Sequence, residues 1–197
     1  MERLAGKISL YFLKHKIISQ NDVEVCSYAL YRQLSRLLVG GLLIALGSFV
    51  AGTLPAIGFT ISFLFLREST GGYHAKSESS CVVLSCFVEF VLLSLVEPIV
   101  EEFPCQWLLM IGGCVCIVLL APINDENIQM TDAEMRANAH RSRIRLSILL
   151  CFVVTLQCVG AIQVVASLQL AIFGVAASIV AAELKNNIDQ TQRRKIE

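Results

Sequence analysis

A chain of 197 residues with 55% hydrophobic content has the length of one domain but too little polar surface to wrap a soluble globule of that size, so its composition points to a membrane protein. Sixteen basic and sixteen acidic residues cancel to a formal net charge of zero, and no aromatic-basic motif is visible, so nothing supports binding to nucleic acid.

The first 36 residues are too polar for a signal peptide, because Arg3, Lys7, Lys14 and Lys16 interrupt every apolar core one could form. Leu4, Ile8, Tyr11 and Phe12 recur at helical spacing with Lys7 and Lys14 on another face. This pattern predicts an amphipathic helix that lies on anionic lipid or covers the cytoplasmic mouth of the protein. Asn21 and Asp22 offer an N-cap for a second helix through Tyr28 and Leu34. Apolar stretches follow at 37–52, 54–66, 82–95, 107–121, 146–166 and 168–182. Several fall short of the roughly 20 residues of a perpendicular span, which calls for local thinning, snorkelling or a re-entrant hairpin. The weakest pair is the first and second, joined at Gly52 to Pro55. The expected fold is therefore an all-α, polytopic membrane helical bundle of about six membrane segments, or four plus a re-entrant pair. Between Pro122 and Arg145 the chain turns polar, and Thr131 followed by Glu134 has the spacing of a capping box, so a basic helix exposing Arg136, Arg141 and Arg143 is expected there. With no repeat or linker visible, residues 1–197 read as a single domain: 1–36 as interfacial helices, 67–80 as a motif loop and 122–145 as a basic loop.

The basic residues set the sidedness. They occur before the first apolar stretch, between the second and third (Arg67, Lys76), between the fourth and fifth (Arg136, Arg141, Arg143, Arg145) and after the sixth. The intervening turns near 52–55, 98–106 and 165–169 contain none, and the middle one carries Glu101 and Glu102. By the positive-inside rule both termini and the 67–80 loop are cytoplasmic. Most of the eight cysteines lie in apolar stretches or on the reducing side and read as small hydrophobes rather than disulfide partners.

The run from Arg67 to Cys81, RESTGGYHAKSESSC, is the most informative. It is a polar island that sets His74 seven residues before Cys81, and a thiol attacks only as thiolate, for which a nearby imidazole can take the proton. On one straight helix the two would stand about 10 Å apart along the axis, too far for proton transfer. A catalytic pair therefore requires the backbone to fold back, and Gly71-Gly72 is a device for doing so. The residues alone leave a catalytic pair and ordinary polar interface residues both open.

Arg67, Gly71-Gly72, His74, Ala75 and Cys81, set between apolar spans in a chain of this length, resemble the accessory gene regulator B family (AgrB) of bacterial membrane cysteine endopeptidases, which mature the peptide signals of quorum sensing. The resemblance implies His74 as base and Cys81 as nucleophile. It also implies an AgrD-like propeptide as substrate, cleaved at its C-terminal tail through a Cys81 acyl-enzyme and cyclised to a thiolactone or lactone. Further implications are a multi-pass location in the bacterial cell membrane, a site at the cytoplasmic face and a homodimer. No cofactor and no metal are expected. The third group orienting His74 stays open among Glu78, Ser77 and Ser80. Arg67 reads equally as a binder of propeptide carboxylates or the oxyanion and as a snorkelling anchor. The rival reading is a non-enzymatic exporter or carrier of a signal peptide, with the loop as a gate. Glu89, inside an apolar stretch and on one helix face with Cys81 and Ser85, is expected to hydrogen-bond within the protein, for example to Gln157 or Gln163.

Overall fold

The computed structural model describes residues 2–72, 78–95, 105–123 and 131–193. Among these residues it is wholly helical, with seven α-helices and one short 3₁₀ turn and no strand. The helices are α1 (Glu2–Lys14), α2 (Val23–Ala51), α3 (Thr53–Thr70), α4 (Glu78–Ser94), α5 (Cys105–Leu120), α6 (Asp132–Val159) and α7 (Ile162–Arg193). Every one of the six apolar stretches read from the sequence lies largely within its own helix from α2 to α7, the fifth running over into α7. Three helices are long and apolar enough to cross a membrane: α2 with its preceding turn (Gln20–Ala51), α6 (Asp132–Val159) and α7 (Ile162–Ile188). The apolar parts of α4 (Ser80–Ser94) and α5 (Trp107–Leu120) are shorter.

The chain forms two compact units, Met1–Leu42 and Leu43–Glu197. In the first, α1 is the amphipathic helix expected from the spacing of Leu4, Ile8 and Phe12. Ala5 and Ser9 are its buried residues, while Leu4, Leu10 and Tyr11 are exposed. Lys16 takes a left-handed φ of 56° and ends the helix, with Ile17 N–H donating back to the Phe12 carbonyl at 2.9 Å. Asp22 closes the 3₁₀ turn that leads into α2, its N–H on the Ser19 carbonyl at 3.1 Å.

The second unit is built around α7. Residues 165–172 are all buried, so this helix is enclosed on every side rather than along one stripe. Helices α3, α4, α5 and α6 all pack on it. Two glycines on neighbouring helices allow close approach to it. A Cβ on Gly58 of α3 would stand 3.0 Å from Leu168 Cδ1, and one on Gly113 of α5 would stand 3.3 Å from the Phe173 Cα. Small residues at helix contacts serve this purpose in lipid, where packing rather than water exclusion drives association. Phe59 and Phe63 stack within α3 with centroids 5.8 Å apart.

Two junctions define the far end of the bundle from the motif. Gly52 (φ 84°) separates α2 from α3, at the joint expected from the sequence. Gly160 (φ 80°) separates α6 from α7 in a left-handed cap, its N–H donating to Gln157 and Leu156 carbonyls. This second junction corrects the expected turn at 165–169. Ser167 and Gln169, the polar residues of that stretch, are buried inside α7, and the glycine supplies the positive φ that a tight reversal needs. The apolar stretch 146–166 is thus two helices.

The basic segment behaves as its sequence predicts. Thr131 and Glu134 form a reciprocal capping box: Glu134 N–H donates to Thr131 Oγ1 at 3.4 Å and Thr131 N–H to Glu134 Oε2 at 2.8 Å. Arg136, Arg141 and Arg143 are exposed. No break separates this polar turn from the apolar run after it, so α6 carries both.

Candidate functional site

The motif run divides between two helices. Arg67 lies in the last turn of α3, just past the apolar run 54–66, and Cys81 in the first turn of α4. Helix α3 stops because Gly71 adopts φ 68° and Gly72 φ 128°, backbone angles that residues with a side chain rarely take. Gly71 N–H still donates to the Arg67 carbonyl at 3.1 Å, and the Thr70 carbonyl accepts from Ile123 N–H at 3.2 Å, just beyond α5. The turn is tightly enclosed. A Cβ at Gly71 would meet the Ile123 carbonyl oxygen at 3.0 Å, and one at Gly72 would meet Ser178 Oγ at 2.7 Å and Arg67 Nη1 at 3.3 Å.

Arg67 is the hub. Its Nη1 donates to Ser178 Oγ of α7 at 2.5 Å, and its Cζ stands 5.6 Å from the centroid of the Phe63 ring, one turn back on α3. Burial pulls the guanidinium below the ordinary arginine value. The Cys81 side chain, close enough to act on it both as a charge and as a hydrogen-bond partner, works the other way. The half-buried Cys81 thiol therefore sits against a fixed cation. That cation is suitably charged to receive an oxyanion formed beside the sulfur.

A second arginine braces this corner. Arg145 of α6 donates from Nη1 to the Phe65 carbonyl at 2.9 Å, pairs through Nη2 with Glu68 Oε2 at 2.8 Å, and lies over the Phe65 ring at 5.0 Å. The ends of α3 and α5, the start of α4, Arg145 midway along α6 and Ser178 of α7 thus meet at one end of the bundle.

The sequence singled out Arg67, Gly71, Gly72 and Cys81, and the structure brings these four together. His74 and Ser77, like the side chain of Glu78, lie outside the described residues; Glu78 is the first residue of α4. Ser178 and Arg145 were not singled out. Ser178 is an unremarkable serine in an apolar helix, and Arg145 reads as one basic residue among four, so neither carries a local signal. Along α4, Ser85 and Glu89 continue the face of Cys81 inward, and Glu89 is 3% exposed. Its partner is Thr60 of α3, whose hydroxyl donates to Oε1 at 2.8 Å, and not Gln157 or Gln163. Gln157 lies in the last turn of α6 and is exposed, as is Gln163 at the start of α7. Among the described residues, no three His, Cys, Asp or Glu side chains gather as a metal-ligand set.

Comparison with known protein families finds that the family model described as Accessory gene regulator B matches residues 2–182. No curated protein and no solved structure matches the chain.

Proposed function

Because the chain belongs to the accessory gene regulator B family, which is associated with processing of the autoinducer propeptide AgrD in quorum sensing, we propose that it is the cysteine endopeptidase of that step, a multi-pass protein of the bacterial membrane with its site at the cytoplasmic face. The observation that carries this reading is the Cys81 thiol held against the Arg67 guanidinium beside the Gly71-Gly72 turn. A structural cysteine in lipid has no need of a buried cation. The grouping of Arg67, Arg145 and the loop ends at one end of the bundle supports the sidedness, in keeping with the positive-inside rule.

In the proposed reaction His74 takes the Cys81 proton and the thiolate adds to the carbonyl carbon at the C-terminal end of the signal region. Arg67 faces the negative charge that develops there. The C–N bond breaks, the tail leaves as an amine with the proton returned by His74, and a Cys81 thioester remains. A thiol or hydroxyl within the propeptide then attacks the thioester, closing the ring and restoring the Cys81 thiol. Exchange between thioesters is nearly balanced in energy, so exclusion of water from the acyl-enzyme decides between ring and linear product.

Replacing Cys81 or His74 by Ala is expected to abolish release of the propeptide tail in membranes without affecting insertion, whereas Cys86→Ala and Cys158→Ala retain most activity. A propeptide whose ring nucleophile is changed to Ala is expected to leave a hydroxylamine-sensitive adduct on Cys81 or to yield linear peptide. Normal tail release by Cys81→Ala would overturn the assignment.

A further inference from the structure

Four separate parts of the chain converge on one guanidinium: the end of α3 that bears it, the Gly72 turn, Cys81 at the start of α4, and Ser178 of α7, 111 residues away in sequence. An arginine side chain has many rotamers, and one left to itself at a membrane boundary extends toward water and headgroups. Here it is turned inward over Phe63, and the hydroxyl of Ser178 accepts a hydrogen bond from Nη1. The same hydroxyl occupies the space beside the Gly72 Cα, 2.7 Å from where a Cβ would stand. Ser178 therefore touches both the cation and the turn that precedes His74.

We infer that Ser178 is a positioning residue, which holds the Arg67 guanidinium at the Cys81 sulfur and seats the Gly72 turn against α7. It does not touch the reacting bond; it acts through Arg67. Being half-buried on the enclosed helix, it is fixed by packing rather than by the loop, so the location of the charge is referred to the core of the bundle. Among the described residues, the titratable group that acts on the guanidinium is Cys81 on α4, and Glu68, next along α3, is paired to Arg145 of α6. The proposal deepens the peptidase reading and rests on Cys81 as its nucleophile, but it can be tested without propeptide.

The test compares alkylation of Cys81 by iodoacetate, an anion, and by neutral iodoacetamide in the full-length protein in detergent, with the Cys81 peptide quantified by mass spectrometry. The ratio of the two rates cancels the thiolate fraction and general access, and reports only the positive charge at the sulfur. Ser178→Ala is expected to lower this ratio by up to about fivefold, the limit reached when a unit charge is withdrawn from about 4 Å in a water-like dielectric. In an Arg67→Gln background the ratio is already low, and adding Ser178→Ala leaves it unchanged. Ser178→Gly removes the same hydroxyl and gives the same read-out where the alanine variant does not accumulate. An unchanged ratio in the single variant overturns the proposal, as does an equal fall in both rates or a ratio that drops further in the Arg67→Gln background. Loss of propeptide cleavage bears on the peptidase reading instead, and leaves this ratio untouched.

Discussion

Arg145→Ala removes a three-part contact between α6 and the last turns of α3, and its cost can be worked from the parts. The ion pair with Glu68 contributes little, about 0.5 kcal/mol, because Glu68 is 42% exposed and water screens it. The hydrogen bond to the Phe65 carbonyl comes from a charged donor whose side chain is only 21% exposed, and such bonds are worth about 1.5–3 kcal/mol. Stacking over the Phe65 ring adds about 0.5–1 kcal/mol. These terms share one side chain and do not sum fully, so a loss of about 2–3 kcal/mol is expected. The loss should be local. Hydrogen exchange in detergent, read on peptides covering 65–72, is expected to accelerate about 30- to 150-fold, while exchange in the middle of α7 changes little. Arg145→Lys keeps the charge but not the fork that reaches Phe65 and Glu68 together, and should fall between the two. Glu68→Gln, which removes the screened pair but keeps the Phe65 contacts of Arg145, should have the smallest effect on them. Wild-type exchange at 65–72 in Arg145→Ala would refute the claim that α6 braces this corner. A Glu68→Gln effect as large as that of Arg145→Ala would refute the partition.

Gly72→Ala puts a methyl 2.7 Å from Ser178 Oγ at φ 128°, and strain of about 1–3 kcal/mol is expected to slow tail release about five- to 150-fold in a membrane assay without changing the amount inserted; a fully active Gly72→Val would remove the need for this turn. Thr60→Val leaves Glu89 buried with no hydrogen bond and should cost about 1–3 kcal/mol in detergent, seen as a lower midpoint of thermal unfolding, whereas the pair Thr60→Val with Glu89→Leu should recover most of it. The backbone N–H and then the hydroxyl of Thr131 hold the Glu134 carboxyl below its ordinary value of 4.5, so the support this cap gives α6 is present above that value and is lost as pH falls through the depressed one. Acid should therefore fray residues 132–135 in wild type, measured by exchange relative to Glu134→Gln, which has no carboxyl to titrate at the cap.

The sequence carries those features whose cause is local. Helix α1 follows from the spacing of Leu4, Ile8 and Phe12, the start of α6 from Thr131 and Glu134, and the α2–α3 joint from Gly52, because one turn of chain decides each. Arg67, the two glycines and Cys81 stand out as a polar run in an apolar context. What is not local was not legible. The choice between Gly160 and the stretch 165–169 as the turn depends on whether Ser167 and Gln169 are enclosed by the helices packed on α7, and no window of sequence contains that information. The partner of Glu89 was sought among amides on later helices, although Thr60 was nearer and could donate equally well. Ser178 acquires meaning only through an arginine 111 residues earlier.

The enclosure of α7 also bears on how the protein is made. It leaves the ribosome after every helix it touches, so the faces of α3, α4, α5 and α6 that will hold it stay unfilled until it emerges. Gly58 and Gly113, whose value lies in close approach to α7, contribute nothing until it arrives. Until α7 arrives, the Arg67 guanidinium has no Ser178 hydroxyl to rest on. Synthesis thus delays the final surroundings of Arg67 and Cys81 until α7 is in place, and a chain halted at Gly160 would carry the earlier helices without them.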